Sequence, residues 1–429
     1  MFVLGRFCLK LEITFLGGAR EVGKSAILVR GKNHQILMDY GAQTTKEPSF
    51  PMHVQPKDVH SVLLTHAHLD HSGGVPLFFL RDGVKLVTTG LTLELASLLL
   101  QDFIKLSGFY LPFEYIDLLT MQRNTERIGL NESHVIAEEF SARFPNSGHL
   151  PGGTTIVLEN DGRRVMYTGD VNVGDSQLLR GADTDFGELD AVITESTYSQ
   201  VDHDPREKTE SDFVTFANEV VQRGGVLLVP AFSVGRAQEI ACLLRAKNFK
   251  HPVAMDGMAL KTNEILFRYQ EYLRDPDLFR KTMENIDVVS GWSHRRRLVK
   301  RPGVIISPAG MLMGGSSVFY NQELSQDERN GISIVAFQVP GSPGRTLLDR
   351  GLTMIGGKMI SVKAQVRRFD FSGHSGRAGL FELLSRVKGK PHVYAIHGDG
   401  DSCAIFAHEI TEKLGFEASA PQIGDRVTV

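Results

Sequence analysis

Residues 65–71 read Thr65-His66-Ala67-His68-Leu69-Asp70-His71, directly after a short apolar run that predicts a buried strand. The stretch places three imidazoles and one carboxylate within six residues. His66 and His68 lie two residues apart, so on an extended loop their side chains point the same way. Asp70 and His71 then turn toward a neighbouring point. Neutral imidazole and carboxylate are ligands that Zn²⁺ accepts, and a strand-end loop leaves positions open for water. This stretch therefore predicts a metal site.

Three further side chains stand in matching contexts, each where an apolar strand is predicted to meet a loop. They are His149 in Ser147-Gly148-His149, Asp170 in Thr168-Gly169-Asp170, and His397 in Ile396-His397-Gly398. Asp170 is the predicted bridge, because one carboxylate can span two metals roughly 4 Å apart. The predicted ligands of two Zn²⁺ ions per chain are His66, His68, Asp70, His71, His149, Asp170 and His397. Asp39, at the end of an earlier strand, is predicted to orient a ligand imidazole or the nucleophilic water.

The composition is ordinary for a soluble globular protein. The 429 residues include 47 Lys and Arg against 50 Asp and Glu, a formal net charge of −3 with His neutral. At roughly 150 residues per domain, this length predicts two or three domains. No run of about 18 apolar residues occurs, so no membrane span is predicted, and the charged start of the chain does not indicate a signal peptide. Three scattered cysteines, Cys8, Cys242 and Cys403, favour a reducing cytoplasm over a disulfide scaffold.

The pattern of apolar residues changes twice along the chain. The first 197 residues read mainly as hairpins and buried strands separated by glycine turns. After them strands alternate with helices, which predicts βαβ units and a mostly parallel sheet. Beyond about Gly356 the chain returns to short strands and a final helix. We therefore predict an α/β protein in which residues 1–197 and 356–429 form one domain, with residues 198–355 as a second α/β domain inserted into it.

The order of these residues resembles a known family. The four motifs of the metallo-β-lactamase fold have similar counterparts, in order, in Asp39, the His66–His71 run, His149 and Asp170. The three additional motifs of the β-CASP nucleases resemble the surroundings of Glu195, His374 and His397. Longer stretches look like archaeal and bacterial ribonucleases of the cleavage-and-polyadenylation-specificity-factor type: Gly17–Lys24, Pro230–Gln238 and Ser307–Gly315. The resemblance implies an αββα metallo-β-lactamase sandwich with an inserted β-CASP domain as a lid over the active-site groove.

The resemblance also implies a zinc-dependent ribonuclease. A metal-bound hydroxide would attack the scissile phosphate in line with the 3′ oxygen, leaving 5′-phosphate and 3′-hydroxyl ends. His397 implies the RNA-processing branch, because DNA-processing members tend to carry an apolar residue at that motif. His374 is the expected acid or transition-state stabiliser, and Glu195 is expected to orient it. The residues expected to serve catalysis are Asp39, Asp70, Glu195 and His374.

Cleavage inside the RNA and 5′→3′ exonucleolytic action are both compatible with the resemblance, and the sequence does not decide between them. Archaeal relatives often carry KH modules before the catalytic domain. This sequence starts directly with the predicted catalytic domain, so guidance by such modules is not expected. The oligomeric state is not readable either, and a homodimer is left open.

RNA binding requires a local positive groove, because the chain as a whole carries little net charge. The candidate basic contacts are Arg295, Arg296, Arg297, Lys300, Arg301, Arg345, Arg350, Arg367 and Arg368. Glycine-rich loops offer a second kind of contact, since their backbone amides can form a nest for a phosphate. The residues predicted to bind the RNA substrate are Arg236, Ser307, Gly310, Gly314, Gly315 and Arg345.

Residues Gly18–Ser25 match the P-loop pattern G-x-x-x-x-G-K-[ST], yet their context argues against nucleotide binding. A P-loop needs a helix that starts at Lys24-Ser25, because the amides at its N-terminus hold the phosphates. Residues 26–30 instead favour a strand, and a glycine turn follows at Gly31. We therefore predict a hairpin loop at the rim of the metal site and no nucleotide cofactor.

Three alternative functions stay open. A DNA-processing nuclease would share the fold and the metals. A catalytically inactive RNA-binding subunit would be expected to show degenerate ligands, whereas all seven motifs are intact here. A small-molecule hydrolase, for example of thioesters, would not need a large inserted domain.

Overall fold

The structure is a computed structural model that describes residues 11–45 and 47–429, so Cys8 lies outside the described residues. The chain separates into two compact units. Among the described residues, the first unit consists of the chain up to Asp175, together with Gly181–Asp202 and Gly373–Val429. The second unit consists of Ser176–Arg180 and His203–Ser372, and it is therefore inserted into the first along the chain.

The elements are numbered in chain order. The strands are β1 (Glu12–Gly17), β2 (Ala26–Arg30), β3 (Gln35–Met38), β4 (Ser61–Leu63), β5 (Lys85–Thr89), β6 (Thr125–Ile128), β7 (Ser133–Ala137), β8 (Phe140–Arg143), β9 (Ile156–Asn160), β10 (Arg163–Tyr167), β11 (Glu188–Glu195), β12 (Val226–Pro230), β13 (Val253–Met255), β14 (Asp287–Val288), β15 (Gly303–Ser307), β16 (Gly331–Ile334), β17 (Leu352–Ile355), β18 (Lys358–Ser361), β19 (Gln365–Arg368), β20 (Lys388–Ile396), β21 (Ala418–Ser419) and β22 (Arg426–Thr428). The α-helices are α1 (Leu69–Ser72), α2 (Gly90–Ser107), α3 (Tyr115–Arg123), α4 (Arg206–Gln222), α5 (Arg236–Ala246), α6 (Met258–Leu266), α7 (Pro276–Met283), α8 (Trp292–Leu298), α9 (Gly315–Leu324), α10 (Pro343–Arg350), α11 (Arg377–Ser385) and α12 (Gly400–Leu414). Across residues 11–45 and 47–429, we find no helix with the length and apolar character that crossing a membrane requires.

Two seven-stranded sheets form the centre of the first unit. Their strand orders are β22-β1-β2-β3-β4-β5-β6 and β21-β20-β11-β10-β9-β8-β7. Apolar side chains from both sheets share one core, which includes Phe15 of β1, Tyr167 of β10 and Ile396 of β20. Helices α2 and α3 pack on β5, and α12 packs on β20. The first unit therefore has the αββα layers that the resemblance implied.

Parallel strands in both sheets place the predicted site residues. β3, β4 and β5 run parallel in the first sheet, and β10, β11 and β20 run parallel in the second. Asp39 and the His66–His71 run follow β3 and β4, while Asp170 and His397 follow β10 and β20. Because the carboxyl ends of neighbouring parallel strands share one edge, each sheet presents its site residues together.

The second unit contains a six-stranded sheet of order β14-β13-β15-β12-β16-β19, in which every pairing is parallel. The alternation of strands and helices in the sequence predicted this arrangement. The end of the unit differs from the prediction, which returned the chain to the first domain at residue 356. Strand β19 pairs with β16, so the chain stays in the second unit until Ser372. Local periodicity identifies a strand but does not say which sheet it joins.

Candidate metal centre

The His66–His71 run occupies the junction between β4 and α1. His68 is the N-cap of α1, so Asp70 and His71 lie in a short helix rather than on an extended loop. The backbone amides of His71 and Ser72 both donate to the carbonyl oxygen of His68, at 3.0 and 2.8 Å. This turn explains why the two halves of the run face different points, as the residue pattern predicted.

One group of predicted ligands contains His66, His68, His149 and Asp170. Their ligand atoms lie within 4.8 Å of one another. The Oδ2 atom of Asp170 is 3.5 Å from His66 Nε2 and 3.6 Å from His149 Nε2. His149 Nε2 also lies 3.2 Å from His68 Nδ1. Three imidazoles and one carboxylate oxygen thus converge on one point.

A second group contains Asp70, His71, Asp170 and His397, again within 4.8 Å. Here the other oxygen of Asp170, Oδ1, is 3.3 Å from His71 Nε2 and 3.4 Å from His397 Nδ1. Asp70 Oδ2 is 3.7 Å from His397 Nε2. Asp170 therefore presents one oxygen to each group, which is the geometry of a carboxylate that bridges two metals.

The backbone before Asp170 permits this approach because the preceding residue is glycine. Gly169 has φ +53°, and a Cβ atom there would lie 2.9 Å from side-chain atoms of Thr65. Asp39 and His397 also have positive φ, at 55° and 51°, although neither is glycine. Such strained conformations persist where the surrounding structure fixes them, and they cluster at functional sites.

Several buried atoms of this cluster make no hydrogen bond within the described part of the chain: His66 Nε2, Asp170 Oδ1 and His397 Nε2. An unpaired buried polar atom costs roughly 1–3 kcal/mol, and a bound cation removes that cost. All seven predicted ligands offer nitrogen or oxygen donors of the kind that Zn²⁺ takes. The two groups therefore fit two divalent cations.

The protonation of the imidazoles agrees with this fit. Burial lowers the pKa of His66 and of His149 well below the ordinary value, and it lowers the pKa of His68 to about 4. These three rings are neutral near pH 7, which is the form that coordinates a metal. Burial also disfavours the charged form of His71, but the carboxylates of Asp170 and Asp39 outweigh burial and raise its pKa.

Asp39 is fully buried and accepts hydrogen bonds from three residues. Its Oδ2 atom is 2.7 Å from His71 Nδ1, 2.7 Å from the hydroxyl of Thr65 and 3.0 Å from that of Tyr167. Its Oδ1 atom accepts from the Thr65 amide at 2.8 Å. The bond to Nδ1 turns Nε2 of His71 toward Asp170, so the position of Asp39 agrees with its predicted orienting role.

His374 and Glu195 form a pair beside the first group. His374 Nδ1 lies 2.8 Å from Glu195 Oε2, and the Val171 amide donates to Glu195 Oε1 at 2.7 Å. The opposite ring nitrogen, Nε2, is 3.8 Å from Asp170 Oδ2. Burial lowers the pKa of His374, but the charges of Glu195 and Asp170 outweigh burial and raise that pKa to about 9. The pair therefore fixes His374 with Nε2 facing the cluster.

Sequence reasoning missed several contacts that orient these side chains. Tyr167 and Thr65 complete the bonds around Asp39, and the carbonyl oxygen of Gly373 lies 2.8 Å from His149 Nδ1. Thr65 adjoins His66 and Gly373 adjoins His374, so proximity to a motif was an available signal for both. Tyr167 also stands close to a motif, three residues before Asp170, but a tyrosine inside an apolar strand is typical of a core and did not indicate a contact with Asp39.

The loop Gly18–Ser25 connects the antiparallel strands β1 and β2 and does not start a helix. The Ser25 amide donates to the carbonyl oxygen of Asp70 at 2.9 Å, and the carbonyl oxygen of Gly18 accepts from the His397 amide at 2.6 Å. Lys24 pairs with Glu21 at 3.1 Å. The P-loop pattern thus belongs to a hairpin loop beside the metal-site residues.

Lys24→Ala is expected to leave the hydrolytic activity predicted from the sequence within a few-fold of the parent rate, because the Lys24 side chain pairs with Glu21 of its own loop and belongs to neither group of predicted ligands. ATP is expected neither to bind measurably nor to change cleavage. Calorimetric titration with ATP and a cleavage assay measure both. Micromolar affinity for ATP that disappears in Lys24→Ala would show that the loop binds nucleotides.

The residues predicted to bind substrate lie in the second unit. All of them follow strands β12, β15 and β16 of the parallel sheet, at or beyond the carboxyl ends: Arg236, Ser307, Gly310, Gly314, Gly315 and Arg345. The buried hydroxyl of Ser307 is 2.7 Å from that of Ser316. Arg345 donates to Asp349 at 2.7 Å, so a phosphate would have to compete with that carboxylate. The structure brings these residues to one edge of the sheet.

Comparison with known proteins gives the family. Residues 19–210 match the metallo-β-lactamase superfamily, residues 237–347 the Beta-Casp domain, and residues 359–421 the Zn-dependent metallo-hydrolase RNA specificity domain. RNase aCSPSF2 of Saccharolobus solfataricus is 35% identical over 421 residues, which cover 97% of this chain and 85% of that protein. The chain belongs to the β-CASP metallo-β-lactamase family.

Other relatives of this β-CASP chain are also archaeal. Probable RNase MJ4 of Methanocaldococcus jannaschii is 32% identical over 432 residues, covering 98% of this chain and 100% of that protein. Transcription termination factor FttA of Pyrococcus abyssi is 31% identical over 461 residues, covering 97% and 71%. The family predicted from the sequence is thereby confirmed, and with it the α/β fold class and a metal-dependent hydrolase.

Among solved structures, the β-CASP chain resembles a crystal structure of a protein of unknown function from Enterococcus faecalis V583. The TM-score is 0.64 at 16% sequence identity, and the match covers 98% of this chain and 100% of that one. At this identity the likeness supports the fold alone.

Proposed function

We propose that this protein is a zinc-dependent ribonuclease that hydrolyses RNA phosphodiester bonds to 5′-phosphate and 3′-hydroxyl ends. The observation that carries the proposal is Asp170, whose two oxygens face two separate groups of nitrogen and oxygen donors. The RNase names of two relatives and the match to an RNA specificity domain support RNA as the substrate. Two zinc ions held by the seven predicted ligands would supply an activated water and polarise the scissile phosphate.

The side chains around the ligands have separate tasks in this proposal. Asp39 holds the ring of His71 so that Nε2 faces the metal position. His374 donates a proton from Nε2 to the departing 3′ oxygen, or stabilises the negative charge that develops on this oxygen. Glu195 holds Nδ1 of that ring and thereby fixes its orientation. Asp70 would be a ligand of the second metal and would partly neutralise its charge.

We assign substrate contacts to the carboxyl edge of the parallel sheet in the second unit. In open α/β sheets the loops beyond the carboxyl ends of the strands are the usual place for ligands. Ser307 ends β15. The other five residues lie in these loops or in the first turn of the helices that follow them: Arg236, Gly310, Gly314, Gly315 and Arg345. A cytoplasmic location and a homodimer stay predictions. The two described cysteines, Cys242 and Cys403, are free and buried, in keeping with a reducing compartment.

Analysis of product ends tests the reaction. We expect a 5′-phosphate on one fragment and a 3′-hydroxyl on the other, because the nucleophile comes from outside the RNA and the 3′ oxygen departs. Circular RNA is included in the same assay, because a circle has no ends and only an endonuclease can cleave it. Exonucleolytic action is measured separately, on linear RNA. A 2′,3′-cyclic phosphate would instead show attack by the substrate's own 2′-hydroxyl and would overturn the proposal.

The same assay separates the alternatives. A DNA-processing nuclease would cleave single-stranded DNA of matched sequence faster than the RNA. A catalytically inactive RNA-binding subunit would retain the RNA without cleaving it. Hydrolysis of a thioester without RNA cleavage would favour a small-molecule hydrolase.

A further inference from the structure

Trp292, the only tryptophan of the chain, begins α8 and is 57% exposed. Tryptophan is highly buried on average, because its indole carries a large apolar surface. The ring of Trp292 is nevertheless held in place. The guanidinium carbon of Arg295 lies 4.8 Å from the ring centroid, and Phe319 makes a T-shaped contact with centroids 5.3 Å apart. The chain thus presents a positioned indole to solvent.

A buried carboxylate fixes the arginine beside this ring. Arg295 donates from Nε and Nη2 to the two oxygens of Asp256, at 2.7 and 2.9 Å, and the Tyr320 hydroxyl donates to the same carboxylate at 2.8 Å. Asp256 is 1% exposed and directly follows β13, at its carboxyl end. Bidentate bonds of this kind are strong and directional. The task of Arg295 is therefore to position the indole rather than to bind a phosphate.

The residues around Trp292 are strongly cationic. Residues 292–301 contain no acidic side chain. Four exposed side chains there form no hydrogen bond or ion pair with any residue in the described ranges: Arg296, Arg297, Lys300 and Arg301. Cations that neutralise phosphates, set beside a ring on which a base can stack, are the two components of surfaces that bind single-stranded nucleic acid.

The position in the fold points the same way. Helix α8 follows β14 in the chain, and its N-cap is Gly291, whose φ of +141° favours glycine. Strands β13 and β14 are parallel neighbours, so α8 and Asp256 both lie at the carboxyl edge of the sheet. The loops that carry the predicted substrate contacts lie at this edge too.

We propose that Trp292 is a stacking platform for a base of single-stranded RNA, with Arg296, Arg297, Lys300 and Arg301 holding the neighbouring phosphates. These five residues are called the Trp292 surface. The inference rests on the proposed function, because it states where the RNA of that function is held. Stacking is tolerant of sequence, so the Trp292 surface favours unpaired RNA over duplex without selecting particular bases.

The single tryptophan makes the site observable without a label. The intact protein is titrated with a 12-nucleotide single-stranded RNA while indole emission is recorded, and the length of the RNA is checked on a gel after each titration. We expect saturable quenching by the single strand and little quenching by a duplex of the same sequence, in which the bases are already stacked.

Variants then connect the quenching to binding, measured by the anisotropy of labelled RNA. Trp292→Ala is expected to weaken binding about 10-fold, whereas Trp292→Phe, which keeps a ring, stays within about threefold. Met354→Ala is the matched control, because it removes another exposed apolar side chain of the same unit and is expected to change nothing. Arg296→Glu combined with Arg297→Glu is expected to weaken binding further. It should also reduce, by about 2, the magnitude of the slope of log binding constant against log salt concentration. In cleavage assays, Trp292→Ala is expected to raise KM about 10-fold and to leave kcat unchanged.

The outcomes separate this inference from the proposed function. If the parent binds and cleaves RNA but shows no quenching, or if Trp292→Ala binds as the parent does, the Trp292 surface does not hold RNA and the proposed function stands. If indole emission changes with protein concentration alone, the surface contacts a second copy and the inference is wrong. If the parent neither binds nor cleaves RNA, both fail together.

Discussion

Asp170→Asn is expected to lower RNA hydrolysis by about 10³-fold or more and to reduce bound zinc below two ions per chain. In the structure, one oxygen of Asp170 faces His66 and His149, and the other faces His71 and His397. An asparagine keeps the size but replaces one oxygen by an NH₂ group, which does not coordinate a metal ion. It also removes the negative charge between the two proposed cations. Cleavage rates at saturating RNA, together with the zinc content of the same sample, measure both effects.

Asp190→Asn is the matched control for that variant. Asp190 lies on β11 of the same sheet, but its carboxylate pairs with Arg163 and accepts from the Arg164 amide, and it belongs to neither ligand group. Its activity and zinc content are expected to stay within a few-fold of the parent. If the activity and zinc content of Asp170→Asn also stayed within a few-fold of the parent, a bridging role for Asp170 would be wrong.

His374→Ala is the second variant with a large expected effect. Turnover should fall by roughly 10²–10⁴-fold, which is the usual contribution of a positioned general acid. Both zinc ions and the affinity for RNA should be retained, because His374 is proposed to act on the departing oxygen and not on the metals. Rates, zinc content and RNA binding of one preparation give the three values.

The zinc content decides between two roles of His374. Asp170, Glu195 and His374 themselves lie within 4.8 Å of one another, a spacing that could hold a metal. Loss of one zinc ion in His374→Ala would therefore make this histidine a ligand. His392→Ala is the control. His392 lies on β20, which pairs with the strand β11 that carries Glu195, but its ring bonds the hydroxyl of Ser419. Its turnover is expected to match the parent.

Most of the candidate ligands could be predicted from the sequence because they directly follow predicted strands. His66, Asp170 and His397 each stand where an apolar run ends, and such ends meet at one edge when the strands are parallel. The residue types and their order then indicated the family, which the comparisons confirm. The structure brings all seven predicted ligands into two groups.

Contacts between distant parts of the chain could not be predicted in the same way. Tyr167 reaches Asp39 from 128 positions further along the chain, and the Gly373 carbonyl reaches His149 across 224. β19 pairs with β16 of the second unit, although its sequence reads like the strands of the first. The exposure of Trp292 was likewise not predicted from the sequence. Each of these depends on packing, which a single sequence does not specify.

Metal stoichiometry of the active protein tests the central claim most directly. The two groups that share Asp170 predict two zinc ions per chain in protein that cleaves RNA at its full rate. Elemental analysis of the purified protein, with the specific activity of the same sample, measures this ratio. A value near two that falls in Asp170→Asn supports the two-metal centre. Full activity with one ion or none per chain would contradict it.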